Sequence, residues 1–304
     1  MSLVKNNNDI WEFDEVPSDF NNNTYKEALI KYINIFDNLF TEAYEECEFE
    51  FLLTMLRVRG IQDAGWDPYE TSIETIQSIS KMSNNINEFF TQRNLRLWLY
   101  GHIVEATEPY EVIANLLYIV NGGRYSNERF PPHKSGRPKS PGARKNKIKQ
   151  ISNNINMEDI IIPLDDIWDR NLRNAIFHSD YIIHGNEVRI TSPLKKYENK
   201  EINDLINKAL AYFESLQFLY HLYIKQYNEP KIINVHPDFS NDNQEKAVVI
   251  VRKGKGAVGL KDNWSKKEIK VGKIPFRIGR FYPDEIELLD KDHTRAILPR
   301  RNNK

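Results

Sequence analysis

The sequence predicts a mainly α-helical fold, a helical bundle followed by a small β-rich C-terminal part. Up to about residue 230, apolar residues recur at three- and four-residue steps, the period of a helix that buries one face. Beyond Pro230, short apolar runs separated by glycine, proline and charged turns indicate strands. We therefore expect a helical domain over residues 1–230 and a small β-rich domain over residues 231–304.

The helices are predicted from their apolar stripes and from the residues that begin or end them. Thr24 is placed as an N-cap, Pro68 stands in a first turn, and Gly122 with Gly123 ends a helix. In chain order, the predicted helices run over about residues 24–40, 49–58 (ending near Gly60), 68–79, 86–100, 109–120, 164–178 and 201–227.

Strands are predicted in two places. Between the last two helices, the run YIIHGNEVRI predicts a hairpin that turns at His184-Gly185-Asn186. In the C-terminal part, the runs AVVIV, KEIKV, FRIGRF and EIELL predict short strands. The glycine-rich run GKGAVG at 254–259 is followed by more strand signal rather than a helix, so we assign it to turns and not to a phosphate-binding loop.

Composition excludes several classes of protein. The chain has 304 residues, of which 40% are hydrophobic, enough for a sizeable core and too many for a disordered protein. We find no apolar run of membrane-spanning length and no signal peptide at the N-terminus, and we expect a cytoplasmic protein with no membrane contact. The single cysteine, Cys47, excludes an internal disulfide framework and a cysteine-based zinc site. We expect neither a metal nor a cofactor.

Charge is distributed unevenly along the chain although 42 Lys and Arg nearly balance 43 Asp and Glu. The segment 121–150, called the basic segment below, contains one acid, Glu128, and many prolines and glycines, which predict a long loop. Its cations are Arg124, Arg129, Lys134, Arg137, Lys139, Arg144, Lys145, Lys147 and Lys149.

Two interpretations of the basic segment remain open. Lysines and arginines on an extended backbone suit the phosphates of a nucleic acid, with Tyr125 and Phe130 available to stack on bases. The segment could equally be a solvated linker. With the first interpretation, all its cations up to Lys147 are candidate RNA contacts, and Arg170 joins them.

The predicted helix 164–178 contains the pattern that points to chemistry. On a helical wheel, Arg170, Asn174 and His178 form one row at the margin of the apolar stripe. Arg173 and Phe177 face away from the core, and the long side chain of Arg173 can fold back over the row. An outward-facing phenylalanine among polar neighbours suggests that this face meets another surface.

An arginine, an amide and a histidine together can act on a phosphodiester. The guanidinium can bind phosphate oxygens bidentately and stabilise developing negative charge, and the imidazole can accept or donate a proton near neutral pH. The same residue types also occur as purely structural helix groups. Asp165, Asp166 and Asp169 could suggest a metal, but acids near a helix N-terminus are the simpler interpretation.

The run LRNAIFHSDY resembles the signature of the HEPN superfamily, an arginine and a polar residue followed by a histidine. Arg173, Asn174 and His178 match this motif, with four residues between the arginine and the histidine. The motif ends a predicted helix, and a longer helix with an apolar stripe follows, as the family's α-helical bundle requires. The specific part of the resemblance covers about residues 165–190, inside a helical region of about 24–230.

This resemblance implies a metal-independent endoribonuclease of a toxin–antitoxin, abortive-infection or other defence system. It implies that Arg173, Asn174 and His178 form the catalytic site and that two copies of the chain meet at a shared cleft, with Phe177 beside it. RNA is then the substrate, and an antitoxin or regulatory protein is an expected partner. Two other hypotheses stay open: a non-catalytic RNA- or nucleotide-binding dimer, and a dimer in which the motif is only structural.

Overall fold

A computed structural model describes residues 2–15, 22–57, 68–236, 245–262 and 277–279. Over these residues the protein is mainly α-helical with small antiparallel sheets, as the sequence predicts. In these ranges, no helix is both long enough and apolar enough to cross a membrane.

Nine α-helices and one 3-10 helix occur in the described residues. The α-helices are α1 (Asn23–Glu46), α2 (Glu48–Met55), α3 (Pro68–Asn85), α4 (Phe89–Glu105), α5 (Thr107–Val120), α6 (Pro141–Asn154), α7 (Ile162–Asp166), α8 (Arg170–His178) and α9 (Asn199–Lys225). The 3-10 helix, Glu158–Ile161, leads directly into α7.

The described strands form three antiparallel sheets. A two-stranded sheet pairs β1 (Ser2–Lys5) with β2 (Trp11–Glu15). A three-stranded sheet of β3 (Tyr181–His184), β4 (Glu187–Thr191) and β5 (Leu194–Glu198) follows α8. A four-stranded sheet follows α9 and contains, in this order, β6 (Ile232–Asn234), β7 (Lys246–Arg252), β8 (Gly256–Asp262) and β9 (Arg277–Gly279).

The chain divides into two compact units made of interleaved segments. The first unit comprises residues 1–39, 68–113 and 130–219, and the second comprises 40–67, 114–129 and 220–304. The predicted domain boundary between residues 230 and 231 does not coincide with this division, because the four-stranded sheet groups with α2 and with the last turns of α9. Residues 1–230 and 231–304 as separately folding domains remain a prediction.

Each unit has its own aromatic core. In the first unit, Trp11 packs edge-to-face on Phe218, with ring centroids 5.0 Å apart. In the second unit, Phe40, Phe51 and Tyr223 contact one another at centroid distances of 5.3–5.9 Å. Burial of such large rings is a main contribution to the stability of each unit.

The prediction that 121–150 is all loop is wrong for its last third, because α6 starts at Pro141. The hydroxyl of Ser140 accepts a hydrogen bond from the backbone N–H of Ala143 and caps the helix. A proline is well tolerated at the first helical position, where its missing N–H would have no partner in any case. Only residues 121–140 are a loop.

The predicted helix 164–178 is two helices, since α7 ends at Asp166 and α8 begins at Arg170. The break arises because Asp169 has extended backbone angles and caps α8 with its own side chain. An aspartate that binds backbone N–H groups two and three residues ahead favours a new helix start over continuation.

Two smaller predictions also need correction. Asn22 rather than Thr24 caps α1: its side-chain oxygen accepts the N–H of Tyr25. The run 254–259 is a turn only up to Lys255, since β8 starts at Gly256. Glycine is required there, because its φ is +80° and a Cβ would lie 2.0 Å from the carbonyl oxygen of Ile224.

The remaining strand predictions have mixed outcomes. The hairpin around Gly185 is confirmed as β3 and β4, and the run AVVIV lies within β7. The run FRIGRF overlaps β9 at Arg277–Gly279, and its other residues lie outside the described ranges. The runs KEIKV and EIELL, and the predicted helix end near Gly60, lie outside the described residues. The β1–β2 hairpin and β5 were not predicted from the sequence.

Candidate functional site around the motif helix

The N-terminal end of α8 is held by Asp169. Its Oδ1 accepts hydrogen bonds from the backbone N–H groups of Asn171 and Leu172, both at 2.9 Å. Its Oδ2 accepts the hydroxyl of Tyr197 at 2.9 Å and the ammonium of Lys195 at 3.1 Å. Burial alone would raise the pKa of Asp169, but these hydrogen bonds and the Lys195 charge outweigh burial and lower it. Asp169 therefore ties the start of α8 to β5.

The inner face of α8 packs closely against α4. Leu172, Ala175 and Ile176 are buried. Gly101 of α4 lies under them, because a Cβ at this position would be 3.2 Å from the Ile176 and Phe177 side chains. The close approach fixes the position of α8 relative to α4 within the first unit.

The C-terminal end of α8 is a left-handed turn at Ser179, whose φ is 55°. The N–H of Asp180 donates to the carbonyl of Ala175 at 2.8 Å, closing the Schellman pattern that ends many helices. The Asp180 carboxylate accepts the hydroxyl of Thr191 in β4. As a result, His178 is the last helical residue and the chain turns directly into β3.

His178 is exposed to solvent, as the sequence predicts for the margin of the stripe. Among the described residues, none makes a hydrogen bond, ion pair or ring contact with its imidazole. Both ring nitrogens are therefore available to an external group.

The side chain of Arg173 folds back onto Asn174, as the sequence analysis allows, and it also contacts α4, which the sequence did not predict. Its side chain is 22% exposed, and its guanidinium pairs with the carboxylate of Glu105. Nη1 donates to Oδ1 of Asn174 at 2.7 Å, and the guanidinium carbon lies 5.5 Å from the centroid of the Phe177 ring. Burial lowers the pKa of Arg173, although an arginine stays charged at neutral pH.

Phe177 is 41% exposed, which confirms its predicted outward position. Trp98 of α4 is 47% exposed and contacts Phe177 edge-to-face, with ring centroids 6.4 Å apart. The two rings form an exposed apolar pair beside Arg173. Sequence reasoning missed Trp98 and Glu105, because neither belongs to the motif and both come from another helix.

His102 lies on α4 between Trp98 and Glu105. It is half-buried, and burial lowers the pKa of its imidazole. Its Nε2 is buried without a hydrogen-bond partner among the described residues. His102 is thus packed and held in its neutral form.

The first-unit part of the basic segment divides into free and occupied cations. Lys134, Arg137, Lys147 and Lys149 are exposed. The other three contact their own protomer: the Lys139 ammonium lies 3.3 Å from His133 Nδ1, Lys145 pairs with Asp165, and Arg144 is buried with its guanidinium 6.0 Å from the Tyr110 ring centroid. The prediction that Arg144 contacts RNA is therefore wrong, because its side chain is buried. Exposed Arg170 is free of hydrogen bonds and ion pairs over the described ranges.

The second-unit part of the basic segment is bound to its own unit. Arg129 lies 3.9 Å from the Tyr118 ring centroid and donates to Oδ1 of Asn115. Arg124 contacts His236. Tyr125 is only 8% exposed, so the prediction that it is available to stack on a base is wrong.

Within the described part of the chain, no group of three His, Cys, Asp or Glu side chains is arranged to hold a metal ion. Three aspartates that precede the motif each bind a lysine instead: Asp165 with Lys145, Asp166 with Lys31, and Asp169 with Lys195.

No family model, no curated protein and no solved structure matches this chain.

Proposed function

We propose that the chain is a HEPN-type endoribonuclease that cleaves RNA without a metal ion, of the kind found in toxin–antitoxin and abortive-infection systems. The free imidazole of His178, one helical turn beyond the Asn174 that binds Arg173, is the observation that carries the proposal. We also propose that the helical part of the chain has the HEPN-like bundle fold.

The proposed reaction is transfer of a phosphodiester to the neighbouring ribose hydroxyl. The 2′-oxygen attacks the phosphorus and the bond to the 5′-oxygen breaks, leaving a 2′,3′-cyclic phosphate. His178 takes the proton of the 2′-hydroxyl, and the departing 5′-oxygen receives a proton from water or from a second imidazole. Arg173 stabilises the charge that develops on the phosphate oxygens, and Asn174 orients Arg173.

A second copy of the chain completes the site in this proposal. The exposed pair of Trp98 and Phe177 lies directly beside Arg173 and offers apolar surface for such a contact. A two-fold axis near this pair would bring two His178 imidazoles to one cleft. Lys134, Arg137, Lys147 and Arg170 are the exposed cations that we propose for RNA phosphates.

One observation favours the non-catalytic alternative, an RNA- or nucleotide-binding dimer. The guanidinium of Arg173 is already paired with Glu105 inside the protomer. If Arg173 serves only to pack α8, the protein can still bind RNA through its exposed cations. This alternative predicts RNA binding that falls with salt and does not depend on His178.

The test is RNA cleavage in EDTA by the wild type, His178→Ala and the matched control His184→Ala. His184 is also an exposed histidine, and it lies six positions further along in the β3–β4 hairpin. We expect at least a hundredfold lower rate for His178→Ala, because a general acid–base group contributes about 10²–10⁴ to a rate, and an unchanged rate for His184→Ala. The products should carry 2′,3′-cyclic phosphate ends. Equal cleavage by wild type and His178→Ala contradicts the proposal.

A further inference from the structure

Three groups of its own protomer hold the Arg173 guanidinium. The Glu105 carboxylate forms an ion pair with Nη2, the Asn174 amide oxygen accepts a hydrogen bond from Nη1, and the centroid of the Phe177 ring lies 5.5 Å from the guanidinium carbon. The positive charge that a substrate phosphate would need is thus compensated before any RNA arrives.

The arrangement leaves one donor of the guanidinium without a partner. Nε of Arg173 is buried, and it has no hydrogen-bond acceptor within the described ranges of the chain. A buried N–H without an acceptor is costly, and a guanidinium is best satisfied by an oxyanion that accepts two parallel hydrogen bonds. Glu105 pairs with the guanidinium at Nη2 and accepts no hydrogen bond from Nε, so it does not use this two-point geometry.

A carboxylate oxygen and a phosphate oxygen make the same kind of hydrogen bond to a guanidinium. Glu105 belongs to α4, which is packed tightly against α8 through Gly101, so its carboxylate is held next to Arg173. Phe177 is in turn supported by Trp98, so the ring beneath the guanidinium remains when the carboxylate leaves. Exchange of one oxyanion for another therefore needs only side-chain rotation.

We propose that Glu105 sets the affinity of the site for RNA, because its carboxylate occupies the position on Arg173 that a substrate phosphate oxygen takes. RNA then binds by displacing Glu105 and gains the second hydrogen bond through Nε. This inference rests on the proposed function, since it assigns Arg173 to the phosphate.

The experiment measures binding of a single-stranded 2′-O-methyl RNA of mixed sequence, which cannot be cleaved by attack of a 2′-hydroxyl. We expect Glu105→Gln to lower the Kd about fivefold, since a competing ion pair of this exposure is worth about 1 kcal/mol. The matched control is Glu229→Gln, which removes the same charge from an exposed residue of the second unit and should leave the Kd unchanged.

A second arm separates displacement from a general effect of charge. In an Arg173→Gln background, Glu105→Gln should no longer tighten binding, because the two side chains act through one contact. Glu105→Asp keeps the charge and should bind RNA no more tightly than wild type. Melting curves establish that each variant is folded.

The outcomes are distinct for the two proposals. An unchanged or higher Kd for Glu105→Gln overturns the role of Glu105, as does a gain that persists in the Arg173→Gln background. Tighter binding by Glu105→Gln together with no cleavage of ordinary RNA by any variant supports the role of Glu105 and removes the nuclease assignment.

Discussion

The motif helix α8 and the basic segment both carry positive charge, but they use it differently. In α8, Arg173 is bound by Glu105 and Asn174, while His178 at the helix end is free. In the basic segment, Arg129 and Arg144 are placed against aromatic rings of their own units, while Lys134 and Lys147 remain in solvent.

The difference teaches that a count of cations does not locate a binding surface. A guanidinium is planar and weakly hydrated, so it packs on aromatic rings and enters partly buried positions more readily than an ammonium does. Arg129, Arg144 and Arg173 all show this behaviour, on Tyr118, Tyr110 and Phe177 respectively. The lysines that stay exposed are the better candidates for phosphate contact.

The largest expected effect on stability comes from Asp169→Ala, which tests whether α8 is fixed by contacts rather than by propensity. The substitution removes the helix cap and leaves Tyr197 and Lys195 without their acceptor, so the free energy of unfolding should fall by about 2–3 kcal/mol. Urea unfolding at pH 7 measures this.

The effect of Asp169→Ala should depend on pH. Because the folded-state pKa of Asp169 lies below its ordinary value of 3.8, its stabilisation is present above that value and is lost as pH falls through the folded-state pKa. Asp159, an exposed acid in the 3-10 helix, provides the control, and its alanine variant should match wild type. If Asp169→Ala and Asp159→Ala have equal free energies of unfolding, Asp169 does not fix α8, and the contrast drawn between α8 and the basic segment fails.

Arg144→Ala tests whether an arginine of the basic segment is structural. Arg144 is 6% exposed on α6, so its loss should lower the free energy of unfolding by about 1–2 kcal/mol through lost packing on Tyr110. Lys147→Ala on the same helix is exposed and should change stability by less than about 0.5 kcal/mol. Thermal melting of both variants measures these effects. If Arg144→Ala is as stable as wild type but binds RNA more weakly, Arg144 is an RNA contact and not a structural residue.

Neutralising the exposed cations of the basic segment tests whether they bind RNA phosphates. We expect Lys134→Gln, Arg137→Gln and Lys147→Gln together to reduce the slope of log affinity against log salt by about 2, because each phosphate contact with a single strand contributes about 0.7. The control neutralises Lys200, Lys225 and Lys253, which are exposed outside the basic segment. If both triple variants show the same slope, the basic segment is a solvated linker.

The smallest expected effect is a gain in stability from Ser179→Gly at the end of α8. Ser179 has a φ of 55°, which glycine adopts without the Cβ penalty, so unfolding should cost about 0.5–1 kcal/mol more. Asn156→Gly is the comparison, because Asn156 also has a positive φ of 57° but asparagine tolerates this region better than serine. A gain at Asn156 larger than that at Ser179 would contradict this account of the helix end.

Predictions that depend on neighbouring residues in the chain largely agree with the structure. The apolar stripes located α1 to α5 and α9 to within a few residues, and the Gly-Asn turn located the β3–β4 hairpin. The exposed positions of Phe177 and His178 follow from the helical period alone. The errors occur where a side chain overrides the period, as when Asp169 caps a new helix or Ser140 starts α6 directly before Pro141.

By itself, the sequence determined which faces of the helices are buried and where His178 stands on α8, because periodicity and helix ends are local properties. Only the tertiary structure decided that Arg173 meets Glu105 and that Arg144 is buried against Tyr110. A helical period states which side of a helix is covered, but not which distant side chain covers it. The partners of a charged group depend on how α4 packs on α8 and α5 on α6, and this packing is set by the shape of the whole core.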